Sequence, residues 1–380
     1  MNDYRDALHR VIEATVAPAA QEVDQLGRFP SDSLKALAQA GILGVTSAAS
    51  VGGAGQGLRD AAEVVESLAA TCGSTAMAVL MHFAATALIE THGAERTRRA
   101  IAGGQHLTTL AFSEVGSRSH FWAPLGSATA AGDGDGDGDE VILNARKSWV
   151  TSASAADSYV WSSQPLAESG PMTLWLVPRP SAGLHIGDQF DGLGLRGNGS
   201  VPVTAHDVAV RRSAMLGPDG QGLDIALAVA LPWFLVLSAA FSIGLMEATV
   251  AETGPHLTSA RLEHLGQRLI DQPAPRADYA RMRVATDTAR SLLNDTLDAI
   301  ESGRPDAMLR VLEIKAVAAE AALSVTDLAM KVCGGAAFRK ELGIERRFRD
   351  AQAARVMAPT TDALLDFVGR AIGGLELLGP

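Results

Sequence analysis

Apolar positions recur at helical spacing near both ends of the chain and at strand spacing in its middle. In residues 60–93 the Ala, Val, Leu and Met positions return every three or four residues, with a break near Cys72. Residues 107–216 instead carry short runs of β-forming residues, such as MTLWLVP, separated by Gly, Pro, Asp and Ser. The order of helices, strands and helices predicts an α+β fold without internal repeats.

This change of pattern predicts three domains. Residues 1–105 form an N-terminal helical domain, residues 106–220 a middle β-barrel-like domain, and residues 221–380 a C-terminal four-helix-bundle domain. Two long helical stretches of the last domain are stopped by glycine, the first at Gly303 and the second at Gly334 and Gly335.

One uncharged segment, residues 225–246, is long enough to cross a bilayer. Pro232 interrupts it, and neither a second such span nor a basic flank accompanies it, so we predict a buried bundle helix and no membrane partner. The amphipathic N-terminus lacks the apolar stretch of a signal peptide. Because Cys72 and Cys333 lie far apart, we expect neither a disulfide framework nor a CxxC metal site, and we predict a cytoplasmic protein.

The charge balance excludes a nucleic-acid partner, since 32 Lys and Arg against 43 Asp and Glu give a net charge of −11 without a basic run. The run GDGDGDGDE (residues 132–140) is similar to the start of an EF-hand loop. Its twelfth position counted from Asp133 is Asn144, where calcium would need a glutamate. We therefore predict a solvated hairpin tip and no metal site.

Several short motifs follow one another along nearly the whole chain. They are GILGVTSAASVGGAGQG, AFSEVGSRSH, ARKSWVTSASAADSYV, LGLRGNGSVPVTAHDVAV and the C-terminal segment KVCGGAAFRKELGIERRFRDAQAARVMAPTTDALLDFVGR. In this order they resemble the motifs of the acyl-CoA dehydrogenase family. The resemblance implies a cytoplasmic FAD-dependent oxidoreductase, a homotetramer or dimer, that removes the α-proton and the β-hydride of an acyl thioester carried by CoA or a carrier protein. It also implies an electron-transfer flavoprotein or a flavin reductase as redox partner.

Small hydroxyls beside a large aromatic residue suit the flat flavin ring, which needs donors and acceptors along its edges. Ser113, Ser119, Trp149 and Thr151 meet this description, and the resemblance places Trp149 and Thr151 against the ring. Two departures from the family pattern are Lys331 in place of glutamine and Arg261, which stands one position from its expected place. The implied cofactor residues are Phe112, Ser113, Ser119, Trp149, Val150, Thr151, Arg261, Gln272, Lys331, Gly334, Gly335, Thr360 and Asp362.

The family's catalytic carboxylate is missing from both positions where the resemblance would place it. One is Ala358, followed here by Pro359, and the other falls near Phe234. Losing the base should cost orders of magnitude in rate. Trp233 and Phe234 are also large aromatics where a long acyl chain would enter, which suggests a restricted pocket.

Three residues are candidates for a relocated base. Asp362 lies four residues past Ala358 and would share a helical face with it, although the family uses this position for the cofactor. His82 lies on an apolar helix and is either a base or a satisfied core histidine. His120 follows the flavin motif and could hydrogen-bond the flavin.

Two other functions fit the same pattern. A flavin-dependent monooxygenase on this fold requires no α-proton base, so Ala358 would be harmless. A non-catalytic subunit of a hetero-oligomeric dehydrogenase would only contribute its cofactor-contacting helices to the cofactor site of an active partner subunit.

Overall fold

The computed structural model describes residues 4–117, 120–131, 139–340 and 342–378. These residues group into two compact units. The first comprises the described residues up to Val64, with Met77–Asp191 and Arg196–Phe234, and the second comprises Val65–Ala76, Gly192–Leu195 and the described residues from Leu235 onward. The division into three domains remains a prediction.

Helices begin and end the chain, as the apolar spacing predicts. The break near Cys72 is confirmed, because one helix ends at Thr71 and the next begins at Gly73. The α-helices are α1 Tyr4–Val11, α2 Ala17–Leu26, α3 Ser31–Gln39, α4 Leu58–Thr71, α5 Gly73–His92, α6 Glu95–Ala102, α7 Gly222–Ile225, α8 Leu231–Ser259, α9 Pro273–Glu301, α10 Ala307–Cys333, α11 Ile344–Val356 and α12 Thr361–Ile372.

Strands fill the middle of the chain. They are β1 Thr108–Ala111, β2 Ser127–Ala130, β3 Glu140–Val150, β4 Ser158–Ser163, β5 Thr173–Pro178, β6 Leu184–Ile186 and β7 Val201–Arg211, with a short hairpin of β8 Arg261–Leu262 and β9 Gln267–Arg268 in the second unit. One sheet has the order β1-β4-β5 and another the order β2-β3-β7-β6. Only β1 and β4 pair in parallel; the other pairs among the described strands are antiparallel.

The two larger sheets share one apolar core in the first unit. Trp161 and Trp175 from the first sheet and Leu143 and Val203 from the second belong to a single cluster, and all four side chains are fully buried. Alternating inward positions on strands of both sheets produce this core. The predicted order of helical, β and helical regions is confirmed.

In the second unit α10 packs against α9, α11 and α12. A charged network lies on the same unit, in which Arg290 contacts Glu66 at 2.7 Å and Glu247 at 3.0 Å, and Arg283 contacts Glu247 at 2.7 Å. These hydrogen bonds, from Arg283 first, hold the pKa of Glu247 below its usual value, although burial opposes them.

Two helical stretches are long and apolar enough to cross a membrane by length and composition alone, Gly73–His92 and Gly222–Ser259. In their most apolar windows 89% and 61% of the residues are buried inside the protein, as in the core helices of globular proteins. Pro232 does not interrupt the helical stretch: it lies in the first turn of α8, directly after a π-helical turn, Ala226–Ala230. Such a turn accommodates a residue that cannot donate a backbone hydrogen bond.

The acidic run GDGDGDGDE lies almost wholly outside the described residues. Its flanking strands β2 and β3 pair antiparallel, with Ala130 opposite Val141. Among the described residues no group of three or more His, Cys, Asp or Glu side chains is arranged to hold a metal ion.

Candidate active site

The segment after β1 runs alongside the end of β3. The Ser148 N–H donates to the Ser113 carbonyl at 2.9 Å, and the Val115 N–H donates to the Arg146 carbonyl at 3.0 Å. This pairing places Phe112 and Ser113 next to the segment that carries Trp149, so these predicted cofactor residues come together in the first unit.

Trp149 is the extra residue of a β-bulge. Lys147 pairs with Val203 and Val150 with Val201, so β3 carries one more residue than β7 between these points. Trp149 has a φ of 55°, a left-handed conformation that costs a bulky residue on the order of 1–3 kcal/mol. The bulge turns the indole away from the core, leaving the side chain 67% exposed. Its only described ring neighbour is Phe190, edge-on at 6.2 Å.

The residues after Trp149 return to the interior. Val150 and Thr151 are 1% and 5% exposed, and the Thr151 hydroxyl contacts the Ser200 hydroxyl at 3.2 Å. Ser152 also has a left-handed backbone, with a φ of 58°, and its buried hydroxyl has no hydrogen-bond partner among the described residues. Two strained residues within four positions mark this turn as a functional candidate.

A buried ion pair between Lys147 and Glu114 anchors the strand at the start of the bulge. The Lys147 ammonium lies 2.6 Å from Glu114 Oε1 and also donates to the Ser162 carbonyl at 2.7 Å and the Ser162 hydroxyl at 2.9 Å. The second oxygen of Glu114 accepts from the N–H groups of Leu125 at 2.6 Å and Gly126 at 3.0 Å. Every polar atom of the pair therefore has a partner, as a buried ion pair requires.

Burial lowers the pKa of Lys147 to about 8, and Glu114 opposes that change. Sequence reasoning missed this pair, although both residues lie inside the motifs AFSEVGSRSH and ARKSWVTSASAADSYV. The available signal was a charged residue in each of two segments otherwise typical of buried strands.

These residues fit a flavin ring. An uncovered indole on a strained bulge offers a flat apolar surface, and Ser113 and Thr151 lie on the two paired segments beside it. Ser119, the fourth residue of this prediction, lies outside the described residues.

Gly334 and Gly335, which follow α10, are exposed and have free space beside them. A Cβ atom on either glycine would meet no described atom within 4 Å. Gly334 also has a φ of 55°, which favours glycine. Packing against the described residues does not require glycine at position 335, so the bare backbone leaves room for another molecule to approach closely from outside.

Lys331 already has an anionic partner. Its ammonium lies 2.7 Å from Asp278 Oδ2, and Arg281 contacts the same carboxylate. The hydrogen bond from Lys331, together with that from Arg281, holds the pKa of Asp278 below its usual value. A phosphate at Lys331 would therefore compete with Asp278 for the ammonium.

Arg261 lies in the small β8–β9 hairpin, and Gln272 follows it. Arg261 is exposed on β8 opposite Arg268. Gln272, the residue before α9, donates its side-chain N–H to the Gln267 side-chain oxygen. Both residues remain cofactor predictions on the second unit.

The prediction that Asp362 shares a helical face with Ala358 is wrong. Thr360 caps α12 by accepting from the Ala363 N–H at 3.4 Å, so the helix starts at Thr361 and Ala358 lies in the preceding turn. Ala358 and Asp362 therefore do not share one helix. The Asp362 side chain is exposed in the first turn of α12, where the helix dipole favours a carboxylate.

His82 is a satisfied core histidine rather than a base. It is fully buried, its Nδ1 accepts from the Thr108 N–H at 3.2 Å, and its Nε2 lies 3.1 Å from the Leu43 carbonyl. A neutral ring that accepts at Nδ1 and donates at Nε2 has no lone pair left for a substrate. Burial lowers the pKa of His82 to about 4.

We expect His82 to make the protein sensitive to acid. Its folded pKa of about 4 lies below the ordinary 6.5, so its contribution is complete above pH 6.5 and is lost as pH falls towards 4. The loss is on the order of 3 kcal/mol. Urea titrations between pH 4 and 7 should show a weaker pH dependence for His82→Gln than for the wild type, and an unchanged one for the exposed His185→Gln. Equal slopes for His82→Gln and the wild type would contradict this.

His120 lies in an exposed loop of the first unit. Its Nδ1 contacts the Ser117 carbonyl at 3.0 Å, and its ring meets Trp122 edge-on at 4.9 Å. Because a carbonyl only accepts, Nδ1 carries the proton and Nε2 keeps a lone pair with no partner among the described residues. His120 therefore has one ring nitrogen that the described residues leave without a partner.

Family models cover most of the chain. Residues 2–103 match the acyl-CoA dehydrogenase N-terminal domain, residues 109–208 the middle domain and residues 220–373 the C-terminal domain. The short-chain specific acyl-CoA dehydrogenase of Clostridium acetobutylicum is 25% identical over 94% of both chains. The cyclohex-1-ene-1-carbonyl-CoA dehydrogenase of Geobacter metallireducens is 26% identical over 97% of this chain and 96% of its own.

Solved structures agree in fold. The butyryl-CoA dehydrogenase of Megasphaera elsdenii superposes with a TM-score of 0.90 at 23% identity, covering 97% of both chains. The prolyl acyl carrier protein oxidase AnaB gives a TM-score of 0.87 at 19% identity, covering 98% of this chain and 99% of its own. With all three domains matched, the chain belongs to the acyl-CoA dehydrogenase family of FAD-dependent oxidoreductases, which act on CH–CH donors.

Proposed function

We propose that the protein desaturates an acyl thioester between its α and β carbons with a base other than the family's usual carboxylate. The bulge that turns Trp149 outward beside Phe112 and Ser113 carries this proposal. FAD, when bound, supplies the hydride acceptor. In this chain Trp149 would cover one face of the ring and exclude water, while Ser113 and Thr151 would hydrogen-bond its edge.

We propose a short or compact acyl group. Trp233 and Phe234 are partly buried against the same apolar cluster as Phe112, in the first unit. Two large aromatics on this cluster reduce the room for a long chain. Relatives named for short-chain, butyryl and cyclohexenecarbonyl substrates support the same size class. The name of the prolyl acyl carrier protein oxidase supports testing carrier-bound thioesters beside CoA thioesters.

Anaerobic addition of acyl thioesters to the purified flavoprotein tests the reaction. We expect flavin absorbance to bleach with short-chain thioesters. Because Ala358 supplies no carboxylate, a flavin monooxygenase is the competing function. Oxygen consumption with a flavin reductase and an aromatic substrate, without bleaching by any thioester, would favour it. A protein that stays colourless after reconstitution with FAD would contradict both enzyme functions and favour the non-catalytic subunit.

We propose His120 as the base, because its Nε2 lone pair is free of described partners and it lies in the same unit as Trp149. His120→Asn should slow thioester-dependent flavin reduction about a hundredfold. Asp362→Asn should slow it less than tenfold while weakening FAD retention, as the predicted cofactor role implies. Stopped-flow reduction rates and flavin content measure both effects, with exposed His185→Asn as the control. Unchanged reduction by His120→Asn would rule His120 out.

We also propose that the chain assembles as a homodimer or homotetramer in the cytoplasm and passes electrons to an electron-transfer flavoprotein or a flavin reductase. Large apolar side chains on the second unit support assembly, among them Phe338 at 82%, Val356 at 71% and Ile372 at 71% exposure. Surfaces of this kind are typical of protein interfaces. Sedimentation would measure the oligomeric state.

A further inference from the structure

Lys315 is a fully buried lysine on α10, with 1% of its surface exposed. Its ammonium donates to three main-chain carbonyls: Pro359 at 2.7 Å, Met357 at 2.9 Å and Ala354 at 3.3 Å. All three acceptors lie at the end of α11 or in the turn that leads to α12. One side chain thus joins the final turn of a helix to the loop that follows it.

The Lys315 ammonium has no carboxylate partner within ion-pair distance among the described residues. Lys147, the other fully buried lysine, differs because it pairs with Glu114. Burial lowers the pKa of Lys315 to about 7. A buried cation without a counter-charge is costly, and here the carbonyl dipoles at the C-terminus of α11 offset part of that cost.

The three carbonyls surround the peptide that carries Ala358. Met357 and Pro359 are its two neighbours in the chain, and each gives its carbonyl to the same ammonium. Carbonyls after the end of a helix have no partner in the helix itself. By satisfying both, Lys315 fixes the backbone on each side of Ala358.

We propose that Lys315 is a positioning residue. Its ammonium is bound by the carbonyls of Ala354, Met357 and Pro359, here called the carbonyl cage, and thereby fixes the turn of residues 357–360. The structural role of the cage follows from these three hydrogen bonds alone. Its effect on turnover rests on the proposed function together with the family resemblance, which places the usual base at Ala358 in this turn. A displacement of about 1 Å near a reacting centre can cost up to roughly a hundredfold in rate, so a shift of this turn would also slow turnover.

Removing the side chain while keeping the cage tests this role. In Lys315→Ala, the amides of Ala363 and Leu364, which hydrogen-bond to Thr360, should exchange hydrogen at least about tenfold faster. Flavin reduction by a thioester should slow about tenfold or more without loss of bound FAD. Ammonium chloride should restore both, because a free ammonium ion fits the emptied cage. Tetramethylammonium chloride at equal ionic strength should restore neither.

Exposed Lys35→Ala is the matched control and should change neither measurement. Lys315→Met keeps the volume filled if the alanine variant does not fold. It should show the same faster exchange, now insensitive to ammonium because the thioether stem occupies the cage. Exchange unchanged from the wild type in a folded Lys315 variant, or equal rescue of Lys315→Ala by the two salts, would overturn the proposal. Failure of the proposed function would appear separately, as a wild type that no thioester reduces, and the exchange measurement would still decide the role of Lys315.

Discussion

Ala358→Glu is expected to raise the rate of thioester-dependent flavin reduction about a hundredfold over the wild type. A correctly placed general base contributes roughly 10² to 10⁴ to such a step. With His82 excluded, the remaining candidate bases are His120 and Asp362, and both side chains are exposed. An exposed side chain is less rigidly positioned than a base fixed within an active site. Position 358 lies in a turn whose carbonyls are already held by Lys315, so a carboxylate there would start from a fixed backbone.

Ala358→Gln is the matched control, since it has the size of glutamate but cannot accept a proton. Stopped-flow reduction at pH 7 with the best short-chain thioester compares the three proteins. Rates equal to the wild type in both the Glu and the Gln variants would mean that the turn does not face the α-carbon. A rise in both would point to a change of shape rather than of base.

Lys147→Met is expected to lower the free energy of unfolding of the first unit by about 3–5 kcal/mol, because it leaves the Glu114 carboxylate buried without its cation. Glu114 and Lys147 are 4% and 0% exposed. The variant should also lose flavin, since Trp149 lies two residues past Lys147 on the bulged strand. Denaturant titration followed by near-ultraviolet circular dichroism measures the first effect, and flavin absorbance after gel filtration measures the second.

The double variant Glu114→Gln/Lys147→Met distinguishes the effect of the ion pair from that of the other contacts of Lys147. Replacing both charges removes the unpaired carboxylate, so it should recover part of the stability that Lys147→Met loses. A double variant no more stable than the single one would mean that the contacts of Lys147 with Ser162 matter more than its charge.

Much of the fold was accessible from the sequence because periodicity reflects burial directly. The helix break at Cys72 followed from the pattern, and the motifs placed Phe112 and Trp149 on segments whose backbones pair. The left-handed backbone of Trp149 could not be predicted, because it arises from a register shift between β3 and β7. The residue pattern of one strand does not show its register with the paired strand, so a bulge cannot be predicted from it.

The candidate bases show where spacing misleads. Asp362 lies four residues past Ala358, yet a cap at Thr360 starts the helix between them. His82 could be judged only after its partners Leu43 and Thr108, 39 and 26 positions away, were brought beside the ring. Lys315 gave a local signal, a lone cation among buried positions of α10, but its partners lie some 40 residues later.

The outward position of Trp149 gives the protein an intrinsic optical reporter. Trp161 and Trp175 are fully buried, whereas Trp149 is the most exposed of the five tryptophans. An indole in water emits at longer wavelength than one in an apolar core, and a flavin stacked on it would quench that emission by energy transfer. The red edge of the tryptophan spectrum should therefore report how much of a preparation carries its cofactor, before any substrate is known.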